Sequence, residues 1–141
     1  GVREFTAGEL ARVKRLWDLR KDLHLKEQYT KTNVTGREKI GEREAYVLEG
    51  VAADNRNEKL YFDTQSGLLL RRIVYTETLL GPDPEQTDFE NYQAVDGIKM
   101  PQTIRISYLD NNHYGTTRTF TEIKNNVPVD ATKFNMPPAS R

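Results

Sequence analysis

An α+β domain is predicted here, with one amphipathic helix followed by an antiparallel sheet of about seven or eight strands. Three features of the sequence carry that expectation. Tyr61 to Tyr75 reads YFDTQSGLLLRRIVY, two strand-like runs joined by the turn Asp63-Thr64-Gln65-Ser66-Gly67. Asp96-Gly97 stands between two alternating runs and is the strongest short hairpin signal in the chain, because a type I′ turn needs positive φ at both central positions. The strand-like runs are joined by short connections, and short connections force antiparallel neighbours.

The helix comes first. Thr6-Ala7-Gly8-Glu9 has the spacing of a capping box, a hydroxyl followed three residues on by a carboxylate. Leu10, Val13, Leu16, Trp17 and Leu23 follow at close to a helical period, which predicts a helix over residues 6–19 with Phe5 as its staple. Asp22 to Lys26 reads equally as a frayed last turn or a loop.

From there the period is two. Gln28 to Thr35, continued by Arg37 to Ile40, reads as a polar edge strand, and Gly41-Glu42 as a tight turn. Ala45 to Val51, Lys59 to Asp63 and Leu68 to Thr76 are strands, with a turn at Asp54-Asn55-Arg56-Asn57. Thr78 to Gln86 reads as a loop, since Pro82 and Pro84 cannot donate ladder hydrogen bonds. Leu79-Leu80 within it reads as tucked over a sheet edge or as a lip for a ligand or partner. Asp88 to Val95 and Ile98 to Leu109 are strands, with Pro101 marking an edge or bulge. His113 to Lys124 is a Thr-rich strand, and Val129 and Phe134 are expected to pin the proline-containing tail onto the sheet.

Composition bounds the function. The 141 residues suit one domain, 1–141, and 36% hydrophobic with 30% charged residues suits a sheet with one solvated face. Basic and acidic residues balance at 21 each, so nothing attracts the chain to nucleic acid or anionic lipid over long range. With no cysteine there is no disulfide or thiolate metal site, and no apolar run is long enough to span a membrane as a helix. The opening Gly1, without an initiator Met, reads as the start of a piece excised from a longer protein.

No catalytic, metal or cofactor residues are assigned, and the chain is read as a non-enzyme. His24 and His113 lie in separate elements without ligand spacing. Asp83, Glu85, Asp88 and Glu90 lack the oxygen spacing and glycine of a calcium loop and read as one exposed strand face, with Arg71 and Arg72 as cross-strand partners. Ser66-Gly67 is a turn, without a strand-to-helix elbow. Trp17 reads as core, or as the wall of an apolar pocket between helix and sheet.

Three ordered segments carry a family resemblance. They are Tyr61-Phe62-Asp63 with Ser66-Gly67-Leu68-Leu69 and Arg71-Arg72; Asp88-Phe89-Glu90-Asn91-Tyr92 with Val95 to Pro101 and Ile104; and Asn126 to Asp130 with Phe134 and Pro137. Together they resemble the LolA/LolB-like, lipoprotein-sorting-like periplasmic domains. The nearest form is that at the C-terminal end of bacterial photosynthetic reaction-centre cytochrome c subunit-like proteins. The resemblance implies a curved antiparallel sheet, an open half-barrel, with helices across its concave side. It implies a non-catalytic, periplasmic or secreted domain that holds a lipid, acyl chain or lipoprotein between helix and sheet. Leu16, Trp17, Phe62, Leu70, Phe89 and Ile104 are the expected lining residues. The competing expectation is a structural module of a redox protein, docking a protein partner through a sheet edge or the Leu79-Leu80 loop.

Overall fold

The computed structural model describes residues 3–7, 9–10, 13–14, 21–52, 55–108 and 111–135. Its centre is one sheet of seven antiparallel strands in chain order: β1 (Tyr29–Ile40), β2 (Arg43–Ala52), β3 (Asn57–Asp63), β4 (Leu69–Thr78), β5 (Gly81–Val95), β6 (Ile98–Tyr108) and β7 (Asn111–Thr119). The sheet is curved and unclosed, with β1 and β7 at its edges. Close packing between the described elements runs mainly between chain neighbours, which is what a meander of hairpins produces.

The N-terminal capping box forms as its spacing requires. Glu9 accepts from the Thr6 backbone N–H at 2.9 Å, and Thr6 Oγ1 accepts from the Glu9 N–H at 3.4 Å. Arg3 closes on Glu9 at 2.6 Å, and together these bonds hold the Glu9 carboxyl down to about 2. Ala7, Glu9, Leu10, Val13 and Lys14 are helical, while Leu16 and Trp17 lie outside the described residues. Lys21–Gln28 is a 3-10 stretch, kinked at His24, that leads into β1.

The hairpin turns follow local chemistry. Asp96 and Gly97 both take positive φ, 49° and 82°, so a two-residue turn reverses β5 into β6. Between β3 and β4, the Gly67 N–H donates to the Asp63 carbonyl at 2.9 Å while Gly67 sits at φ 70°. The Asp63 carboxylate organises the same turn, accepting from the Gln65 N–H and the Ser66 hydroxyl, each at 2.9 Å, and pairing with Arg43 of β2.

Three expectations are corrected. Thr78 to Gln86 is not a loop: β5 begins at Gly81 and pairs Tyr75 with Pro84 and Glu77 with Pro82 on β4. The prolines are tolerated because β6 reaches only as far as Glu85, so their missing N–H groups face no strand on that side. Leu79 and Leu80 are left as a two-residue hairpin tip, fully exposed rather than tucked in. The tail is not pinned by Val129 or Phe134, which are 59% and 79% exposed. Asp130 instead caps a short 3-10 turn at Ala131–Phe134.

The pleat sorts the sheet into two faces. On one, Ala45, Val47, Tyr61, Leu70 and Ile73 form a closed cluster flanked by Ile40 and Tyr75. Leu70 reaches this cluster where the β3–β4 register shifts beside Tyr61 and Phe62, a bulge that re-aims one side chain. On the other face lie Leu48, Leu60, Phe62, Val74, Phe89, Ile104 and Ile106, of which only Leu60 is buried.

Gly50 belongs to this second face and is required there. A Cβ at residue 50 would stand 2.5 Å from Cδ1 of Tyr29, whose ring lies across the glycine and whose hydroxyl donates to Glu58 at 2.7 Å. Gly50→Ala is expected to push the ring off its site and destabilise the domain by about 1–3 kcal/mol, the usual cost of overpacking. Urea denaturation followed by far-ultraviolet circular dichroism checks this, and an unchanged midpoint would show that the ring has another resting place.

Candidate functional site

The first face is laced with charge. Arg71 of β4 forks onto its register partner Asp88 of β5, with Nε at 2.5 Å and Nη2 at 3.1 Å, and Gln86 donates to the same carboxylate at 2.8 Å. Arg105 of β6 reaches Glu90 at 3.3 Å. Lys59 lies 3.0 Å from Glu49, its register partner on β2, and that hydrogen bond raises the Lys59 pKa above its ordinary value. Burial raises the pKa of the Tyr61 hydroxyl.

The acidic residues of β5 do not share one face. Asp88 and Glu90 lie with the arginines just named, whereas Asp83 and Glu85 alternate with them onto the other side. The three-residue step from Glu85 to Asp88 switches pleat parity. There, Glu85 stands opposite Tyr108 and its charge raises the tyrosine pKa. Of the two arginines, Arg71 meets this cluster and Arg72 does not. Arg72 turns to Glu58, with Nε and Nη2 on the two carboxylate oxygens at 2.9 and 2.8 Å. Glu58 is 1% exposed, and neither it nor Tyr29 stood out in the sequence. The available signal was the Glu58–Leu60 alternation, which puts a carboxylate on an apolar face.

The same charged face holds a recess of about 500 Å³. Lys31 and Asn33 of β1, Glu49 and Val51 of β2, Asn57 and Lys59 of β3, Tyr75 and Glu77 of β4 and Pro82 of β5 contribute to it. Adjacent strands are about 4.8 Å apart, so five strands share one hollow only where the sheet curls toward that side. The recess is thus on a concave part of the sheet.

The expected lining residues separate. Phe62 lies on the second face, opposite Tyr46 of β2 and Leu69 of β4. Phe89 and Ile104 are direct register partners on that face, a second apolar pair on β5 and β6. Phe62, Leu69, Phe89 and Ile104 are all half-buried. Leu70 packs in the closed cluster on the first face. None of these residues lines the charged recess.

Among the described residues, no three of His, Cys, Asp or Glu come together as a metal-binding group. His24 lies at the surface, 3.3 Å from Glu27. No helix among them is long and apolar enough to cross a membrane.

Asp63 makes the stability pH-dependent. Its pKa is lowered first by the Gln65 N–H, then by the Ser66 hydroxyl and Arg43. A depressed native pKa contributes stability above the unfolded carboxylate value, about 3.9, that is lost as pH falls through the native value. Asp63→Asn is therefore expected to lower the urea midpoint at neutral pH, with the gap to the parent protein closing below about pH 4. Urea midpoints across a pH series check this, and a gap that persists in acid would contradict it.

No family model and no curated protein matches this chain. Among solved structures it is similar to a LolA superfamily protein from Nitrosomonas europaea, at 18% identity and a TM-score of 0.47. The matched region covers 58% of this chain and 38% of the other, so the chain spans well under half of that structural neighbour.

Proposed function

We propose that this domain is a non-catalytic carrier of an apolar ligand, an acyl chain or lipidated peptide, held against the second face of the sheet. One observation carries the reading: Tyr46, Phe62, Leu69, Phe89 and Ile104 stand on the second face of five strands yet are nowhere closed into a core. Leu16 and Trp17, which the sequence spaces at a helical period, are the candidates for an opposing wall. Leu70 supports the sheet from the other side. The resemblance of three sequence landmarks to lipoprotein-sorting domains supports a lipid or lipoprotein ligand and a periplasmic location; it implies the concave side, whereas the open apolar residues favour the second face.

Binding in such a site comes mainly from apolar area removed from water, at about 25 cal/mol per Å². Displacement of a fluorescent apolar dye by palmitate and by a diacylated lipopeptide tests the proposal. Both are expected to displace it. Phe89→Asp and Ile104→Ser are each expected to weaken binding about tenfold or more, from the loss of one buried apolar side chain. No displacement by either ligand would overturn the reading.

A second reading rests on the β4–β5 hairpin tip, where Leu79 and Leu80 are 105% and 101% exposed. Two adjacent apolar side chains held out at a hairpin tip suit the docking of a protein partner. The double substitution Leu79→Ser with Leu80→Ser leaves acyl binding unchanged if the tip serves docking alone, and weakens it if the tip is instead a lip of the acyl site.

A further inference from the structure

The charged recess has no part in acyl binding, yet it is built from five strands and carries an unusual balance of groups. Lys59 and Glu49 neutralise one another across β2 and β3. Glu58, whose backbone borders the hollow, is neutralised by Arg72 on the far side of the sheet. Two charges are left over, Lys31 on β1 and Glu77 on β4, and among the described residues neither has an ion-pair partner. They stand on opposite walls, with β2 and β3 between them as the floor. Register places Lys31, Val51, Asn57 and Tyr75 in one transverse row, with Glu77 two residues beyond Tyr75.

We infer that this recess binds a small zwitterion of the phosphoethanolamine kind. Its anionic group lies toward Lys31 and Asn33, and its ammonium toward Glu77 and the ring of Tyr75. The free charges are one of each sign, so a ligand carrying a single sign leaves one wall unanswered, whereas one carrying both signs answers both. Asn33 and Asn57 each offer a donor and an acceptor from the sides. Val51 and Pro82 supply short apolar surface for the carbon link between the two charges. An aromatic face beside a carboxylate suits an ammonium group.

The inference is independent of acyl binding, which uses the opposite face. The test titrates the isotope-labelled chain with O-phosphoethanolamine, with inorganic phosphate and with ethanolamine, following backbone amide shifts. Phosphoethanolamine is expected to shift the amides of Lys31, Asn33, Asn57, Tyr75 and Glu77, and to bind more tightly than either half alone. Lys31→Glu and Glu77→Lys are each expected to weaken it about fivefold, the scale of one exposed ion pair, and the double charge swap to recover part of the loss. Vesicles of phosphatidylethanolamine and of phosphatidylglycerol distinguish the source. Protection of the same amides by the first alone assigns a lipid headgroup; binding of the soluble compound without either vesicle assigns a free small molecule. Equal responses to phosphate, ethanolamine and phosphoethanolamine, or shifts unaffected by charge reversal, would overturn the inference. Palmitate displacement measured on the same variants stays unchanged, so failure here is separable from failure of the acyl reading.

Discussion

A carboxylate almost wholly removed from water sits where an apolar side chain would be expected, and the second face of the sheet depends on it. Glu58 would be untenable alone, since a buried charge without a partner costs several kcal/mol. Arg72 meets it with two parallel hydrogen bonds from the neighbouring strand, and Tyr29 adds a third from β1. Three strands are thereby tied at one point, and the tie has a single geometry. It needs Gly50 beneath the tyrosine ring, and it needs the β3–β4 register that sets Leu60 opposite Arg72. A greasy patch tolerates a one-residue slip in pairing poorly, but a forked arginine on a buried carboxylate tolerates it not at all.

That constraint divides the labour of the faces. The first face closes on itself around Ala45, Val47 and Ile73 and meets water through cross-strand ion pairs. The second face, pinned at one end by Glu58 and Arg72, also carries the half-buried Phe62, Phe89 and Ile104. A chain with only 36% hydrophobic residues does not complete two thick cores, and the second face is the one left incomplete.

How much of this was legible depended on how local the determinants are. The Asp96-Gly97 turn and the Asp63–Gly67 turn were readable because each is specified by the conformational preferences of a few adjacent residues. The sheet and its antiparallel order followed from period-two spacing across short hairpins. The start of β5 was not readable: proline excludes a ladder donor, but whether one is needed depends on where β6 ends, which the local sequence does not encode. Leu70, expected among the lining residues, packs in the first-face cluster because a bulge beside it breaks the pleat parity. The meeting of Glu58, Arg72 and Tyr29 was not readable because it is a matter of register between three strands, and the exposure of Val129 and Phe134 was not because apolar residues in a tail need not find a surface.

The central claim is that the Glu58–Arg72 pair holds the second face as a unit. A double-mutant cycle with Glu58→Gln, Arg72→Met and the two together, read by urea denaturation, tests it most directly. Each single change leaves a buried group without its partner, so the two losses are expected to be strongly non-additive, with a coupling energy of about 2–3 kcal/mol. Losses that add to within about 0.5 kcal/mol would mean that the two groups are solvated independently, and would contradict the account.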